Sequence, residues 1–124
     1  MESDNIYFFD SYAIIELIKG NERYKKYANA RMLLTKLNLF EVAYWLLRET
    51  REKEAIIFLN NRSEYVIDFD TTTIAHAAYF RLKHKRKNVS MADCIGYTLS
   101  QQLGVPFLTG DKEFREFINV EFVV

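Results

Sequence analysis

Five short apolar runs punctuate this chain, and they constrain its fold more than any other feature. They are Ile6-Tyr7-Phe8-Phe9, Ala30 to Leu34, Tyr65 to Phe69, Phe107 to Thr109 and Glu121 to Val124. Each has the length of a strand and is too short for a helix. The segments between them carry helical spacing. Strands that alternate with helices form βαβ units, whose parallel sheet must be covered on both faces. The 124 residues amount to a single domain. The expectation is therefore α/β: one α/β/α sandwich over residues 1–124 with a mostly parallel five-stranded sheet and right-handed crossovers.

The helices between the runs have readable ends. Asp10-Ser11 starts a helix over Tyr12 to Lys19, stopped by Gly20, and Asn21 caps a short one to Tyr27. Asn38 is placed to cap a helix to about Arg51, with Phe40, Ala43, Tyr44 and Leu47 on one face. Lys53 to Leu59 forms a further helix. Asp70 or a following Thr starts one through Lys83, Ser90 to Leu103 forms another stopped by Gly104, and Lys112 to Phe117 a last short one.

Composition excludes several classes. Seventeen basic and seventeen acidic residues leave no net charge, so the molecule as a whole is not a polyanion binder, although local basic patches remain. A single cysteine, Cys94, permits no internal disulfide and fits a reducing, cytoplasmic location. No signal peptide is read, and no apolar run approaches the length of a membrane span.

Four carboxylates carry the chemical signal. In open α/β sheets, sites form at the carboxyl ends of strands near a topological switch point. Asp10 ends the first run, and Asp111 follows Phe107 to Thr109 just past Gly110. Glu41 lies among apolar neighbours in Leu39 to Leu47, and Asp93 opens the helix after Ser90. Each has an ordinary structural use: Asp10 and Asp111 as helix caps, Asp93 in a Ser-x-x-Asp box with Ser90, Glu41 at the edge of its helix face. Their joint placement at one end of one sheet argues for a shared site. Gathered carboxylates repel one another and call for a cation. An all-oxygen set suits Mg²⁺ or Mn²⁺, the ions of phosphoryl chemistry.

The pieces Phe8-Phe9-Asp10-Ser11, Leu39-Phe40-Glu41-Val42, Met91-Ala92-Asp93-Cys94 and Leu108-Thr109-Gly110-Asp111-Lys112-Glu113-Phe114 fall in an order that resembles the PIN-domain ribonucleases, especially VapC-like toxins of toxin–antitoxin pairs. The resemblance implies a metal-dependent endoribonuclease with Asp10, Glu41 and Asp93 as core acids and Asp111 as a more variable fourth. Ser11 and Thr109 match positions where small hydroxyl residues support the site. It further implies an RNA substrate, a protein antitoxin that blocks the acidic groove, and pairing into a homodimer. The chain departs from the pattern at Tyr12, where many relatives carry Asn, and at Cys94 and Ile95, where small residues are common.

On this reading Lys83, Lys85, Arg86 and Lys87 would hold RNA phosphate, or else form a solvated helix end suited to the helix dipole. Lys112 would contact phosphate or pair with Glu116 one turn on. Arg23, Lys25, Lys26 and Arg31 form a second patch or a solvent face. The aromatics Tyr24, Tyr27, Tyr44 and Trp45 serve an interface or the core. His76 and His84 lack zinc-ligand spacing, and Cys94 reads as a small buried hydrophobe. Two further functions fit the same residues: an RNA-maturation nuclease, and a non-catalytic RNA- or protein-binding module. A phosphate-accepting receiver domain would require an acidic pair after the first strand, which is missing.

Overall fold

The computed structural model describes residues 5–124. Four strands form one parallel sheet among them: β1 (Ile6–Phe9), β2 (Arg31–Leu33), β3 (Phe107–Thr109) and β4 (Val120–Phe122), in the order β2-β1-β3-β4. Five helices complete it: α1 (Ser11–Ile18), α2 (Lys36–Arg48), α3 (Glu52–Arg62), α4 (Thr71–Lys83) and α5 (Met91–Leu103). No helix among the described residues is long and apolar enough to cross a membrane.

Side chains on a strand alternate between faces, and the two layers follow from that period. Phe9 and Leu108 enter one core with Ala13, Ile14, Val42 and Leu46 of α1 and α2. Phe8 and Phe107 enter the other with Ala77, Ile95 and Tyr97 of α4 and α5. The sheet is thus covered on both faces, as the apolar runs predict. Gly96 sets how closely α5 can approach. A Cβ there would lie 2.6 Å from Phe8 Cε1 and 3.3 Å from Phe107 Cε1, so the absent side chain makes room for the central rings.

Three expectations need correction. The sheet has four strands among the described residues, because Tyr65 to Phe69 is not a strand. Ser63–Tyr65 is a 3₁₀ turn, and only one parallel bridge, Leu34 with Val66, extends the sheet beyond β2. Ile67 N–H donates to Leu34 O at 2.9 Å, after which the chain reaches Asp70, the cap of α4. One rung is all that this segment supplies before the helix begins. Second, α2 is capped by Thr35, not Asn38. The Thr35 hydroxyl accepts from Leu37 and Asn38 N–H, and Asn38 is the reciprocal member of a capping box. Third, the segment after β3 is a 3₁₀ turn, Lys112–Phe114, and ends three residues earlier than predicted.

Gly96→Ala should destabilise the fold by roughly 1–3 kcal/mol, because the methyl overpacks a filled layer. Urea unfolding measures this. A midpoint equal to that of the unsubstituted protein would show that the Phe8 ring yields freely.

Candidate active site

The chain leaves β1 for β2 on one side, while β3 and β4 lie on the other. The switch point therefore falls between β1 and β3. Asp10 stands at the carboxyl end of the first of these strands, and Gly110-Asp111 at the end of the second. Asp93 lies in the first turn of α5, and Glu41 in the middle of α2.

Each acid is held by one oxygen. Asp10 Oδ1 accepts from Ala13 N–H at 2.7 Å and caps α1. Asp93 Oδ2 accepts from Ser90 N–H at 3.0 Å, closing the capping box that the Ser-x-x-Asp spacing predicts. Asp111 Oδ1 accepts from Glu113 N–H at 2.9 Å. Glu41 Oε1 accepts from the Ser11 hydroxyl at 2.5 Å. The structural uses read from sequence for Asp10, Asp93 and Asp111 thus hold and leave a second oxygen of each acid for other work. Asp10 Oδ2 is the telling case: Asp10 is 1% exposed, and among the described residues this buried oxygen has no hydrogen-bond partner of normal geometry, although the Thr109 hydroxyl lies near the carboxyl. A buried, unsatisfied carboxylate oxygen is costly unless something absent from the protein chain satisfies it.

The electrostatics record the proximity of the four. Burial holds the Asp10 carboxyl well above its usual range. The Thr109 hydroxyl and the Ala13 N–H oppose this shift, and the charges of Asp93 and Asp111 reinforce it. Asp93 is pushed up to about 6, first by burial. Its bonds with Ser90 pull it down, and the charges of Glu41 and Asp111 push it further up.

Supporting groups fix the acids from behind. Asn38 Nδ2 donates to Ser11 Oγ at 3.0 Å, and Ser11 donates on to Glu41. Asn38 Oδ1 in turn accepts from Thr35 N–H at 2.9 Å. The helix cap after β2 is thereby tied through Ser11 to the carboxylate on α2. Thr109 Oγ1 accepts from Asp111 N–H at 2.9 Å, which anchors the turn after β3. Sequence reading found Ser11 and Thr109 but missed Asn38 as a bridge. Its signal was the Thr-x-x-Asn spacing, read there with the wrong residue as cap.

No three acidic, histidine or cysteine side chains among the described residues stand close enough to enclose one ion. The donor set still fits a hard divalent cation. Mg²⁺ keeps several waters and is commonly held by one or two carboxylates rather than by an all-protein cage. Asp10 Oδ2, buried and unpartnered among the described residues, is a carboxylate oxygen of the kind such an ion takes.

The basic run lies in the turn from α4 to α5, immediately before the Ser90 cap. Lys83, Lys85 and Arg86 are exposed, and Lys83 borders a groove with His84 and Phe117. The Lys87 ammonium lies 5.4 Å over the Phe117 ring. Lys112 is exposed and forms no ion pair with Glu116 among the described residues. Tyr24 and Tyr27 are core residues, whereas Tyr44 is exposed and Trp45 half-buried. Cys94 is buried, which pushes its thiol up to about 11, as an inert core cysteine requires.

The PIN domain family profile matches residues 7–119, so the chain belongs to the PIN domain family. No curated protein matches it significantly. Among solved structures, VapC20 of Mycobacterium tuberculosis, a sarcin–ricin loop cleaving toxin, is similar at a TM-score of 0.77 with 18% identity. The match covers 96% of this chain and 99% of that one. A toxin–antitoxin complex from Klebsiella pneumoniae matches at 0.75 and 18% identity, over 95% and 98% of the two chains. DNA-bound VapBC from Salmonella typhimurium matches at 0.70 and 18%, over 94% and 95%. At these identities the likeness establishes the shared fold.

The raised acids set a pH dependence with a definite sign. Asp93 titrates near 3.8 when unfolded and near 6 when folded, so the folded state binds the extra proton between those values. Stability of the metal-free protein should therefore fall as pH rises through that window. Asp93→Asn should flatten the fall, as read by melting temperature at stepped pH. A variant whose decline parallels that of the unsubstituted protein would contradict the assignment.

Proposed function

We propose that this protein is a divalent-metal-dependent endoribonuclease, acting on RNA phosphodiester bonds as the toxin of a toxin–antitoxin pair. The observation that carries the reading is the buried, unpartnered Asp10 oxygen at the switch point, under the charges of Asp93 and Asp111. Membership of the PIN domain family supports it, as does a fold shared with toxins of such pairs, one of them a sarcin–ricin loop cleaving toxin.

Asp10 and Asp93 would hold Mg²⁺ or Mn²⁺, with Glu41 and Asp111 completing the site. The chemistry such an ion supplies is to make water more acidic and to neutralise charge on the phosphoryl oxygens. The protein's own residues set the geometry. Ala13 and Ser90 N–H aim the Asp10 and Asp93 carboxylates. Asn38 and Ser11 orient Glu41. Thr109 fixes the turn that presents Asp111. Lys83, Lys85, Arg86, Lys87 and Lys112 would meet RNA phosphates around the acids, whose own charge repels the backbone.

An antitoxin and a second copy of the chain are the expected partners. Phe40, Tyr44 and Leu47 form an exposed apolar stripe on α2, at the i, i+4, i+7 spacing of one helix face. Glu41 lies beside Phe40 on the same helix, so a partner covering the stripe would also crowd the acidic site.

Labelled single-stranded RNA should be cleaved in Mn²⁺ or Mg²⁺ and left intact in EDTA. Asp10→Asn should lower the rate by at least about a hundredfold, since about 2.7 kcal/mol of barrier corresponds to that factor. Full cleavage by Asp10→Asn, or cleavage unaffected by EDTA, would refute the proposal.

A further inference from the structure

A small pocket of about 180 Å³ lies behind the turn that carries Asp111. Its polar walls are Arg23, Lys112, Arg115, Tyr12 and Tyr24, and Gly110 forms its inner side. The strand end Phe122–Val124 closes it. Three cationic side chains from two separate turns meet here. Among the described residues none of the three is in an ion pair, so their charge is open to an external anion. The Arg115 guanidinium lies 5.2 Å over the Phe122 ring, which holds it at the pocket wall.

The second observation is independent of charge. Tyr24 is 2% exposed, and among the described residues its hydroxyl joins Asp10 Oδ2 as a buried side-chain polar atom without a hydrogen-bond partner. It lies against Gly110, where any Cβ would collide with it and would stand 2.6 Å from Tyr12 Cε1. Burial, with the charge of Asp10 second, drives the phenol well above its ordinary range, so it stays a proton donor. Three unmatched cations and one unmatched donor line a space large enough for a few waters at about 30 Å³ each. A tetrahedral anion meets all of these demands at once.

We propose that this pocket is a phosphate subsite, in which Arg23, Lys112, Arg115 and the Tyr24 hydroxyl hold the phosphodiester adjacent to the one at the acids. The assignment of its ligand rests on the nuclease reading above. Gly110 lines the pocket and Asp111 follows it directly in the chain, so consecutive phosphates of one strand would meet the acids and the cations in turn. The cations then position the strand that the carboxylates alone would repel.

The test is binding of a short fluorescent single-stranded RNA to the full chain in EDTA, where no cleavage occurs, across a salt series. The variant Arg23→Gln/Lys112→Gln/Arg115→Gln should bind at least tenfold more weakly. Its log–log salt slope should be shallower by about 0.7, the value for one phosphate contact on a single strand. A control with equal charge loss, Lys19→Gln/Lys53→Gln/Arg62→Gln, should keep the original slope. Tyr24→Phe should weaken binding several-fold with the slope unchanged. Equal losses in pocket and control variants, or none in either, would overturn the subsite. Cleavage is scored separately in Mn²⁺. The expected binding pattern without cleavage would uphold the subsite and sink the nuclease reading, and cleavage with no pocket-specific binding loss would do the reverse.

Discussion

The structure depends on a carboxylate placed where a carboxylate is costly. Asp10 is enclosed at the end of a central strand, with one oxygen capping α1 and the other without a hydrogen-bond partner of normal geometry among the described residues. Burial and the neighbouring acids both oppose its charge. An Asn could cap the same helix without that electrostatic cost. The acid is therefore unexplained by folding alone, and the proposed divalent cation would account for it. The same economy recurs at Asp93, Asp111 and Glu41. In Asp93 and Asp111 one oxygen caps a local turn, in Glu41 one accepts from the distant Ser11, and the second oxygen of each is open to the proposed ion.

That double use explains why so much was legible in the sequence. A cap must sit at a helix start, and in a parallel sheet helix starts lie at the carboxyl ends of strands, where sites form. Asp10, Asp93 and Asp111 are readable as caps from spacing alone, so their convergence follows from the order of strands and helices. Ile6–Phe9 and Phe107–Thr109 were readable because both are continuous apolar runs, as central parallel strands must be.

What stayed hidden depends on contacts between distant segments. Thr35 and Asn38 are both good caps, and only the bond from Asn38 to Ser11 shows why Asn occupies the inner position. Tyr65 to Phe69 has strand composition, but the edge offers it one rung beside Leu34 before α4 begins. Glu22–Tyr27 reads as a short helix capped by Asn21, with the inward turn of its two tyrosines left open. It is a 3₁₀ helix, in which residues three apart share a face, so Tyr24 and Tyr27 both turn inward. Tyr27 then donates to Glu121 at 2.6 Å and pins the turn to β4. The pocket beside Gly110 lies between residues of that helix, the turn after β3 and the segment Phe122–Val124, and no local pattern announces it.

The central claim is that the carboxylates at the switch point are held at a cost which a divalent ion offsets. Thermal unfolding at neutral pH, with and without Mn²⁺, tests it directly in the unsubstituted protein and in Asp10→Asn. Ligand binding to the folded state raises stability by about 1.4 kcal/mol per decade of ion above the dissociation constant. The account predicts that the melting temperature of the unsubstituted protein climbs with Mn²⁺. Asp10→Asn should start higher without the ion and respond to it little. A melting temperature indifferent to Mn²⁺, in a protein destabilised by Asp10→Asn, would mean that Asp10 serves the helix cap alone.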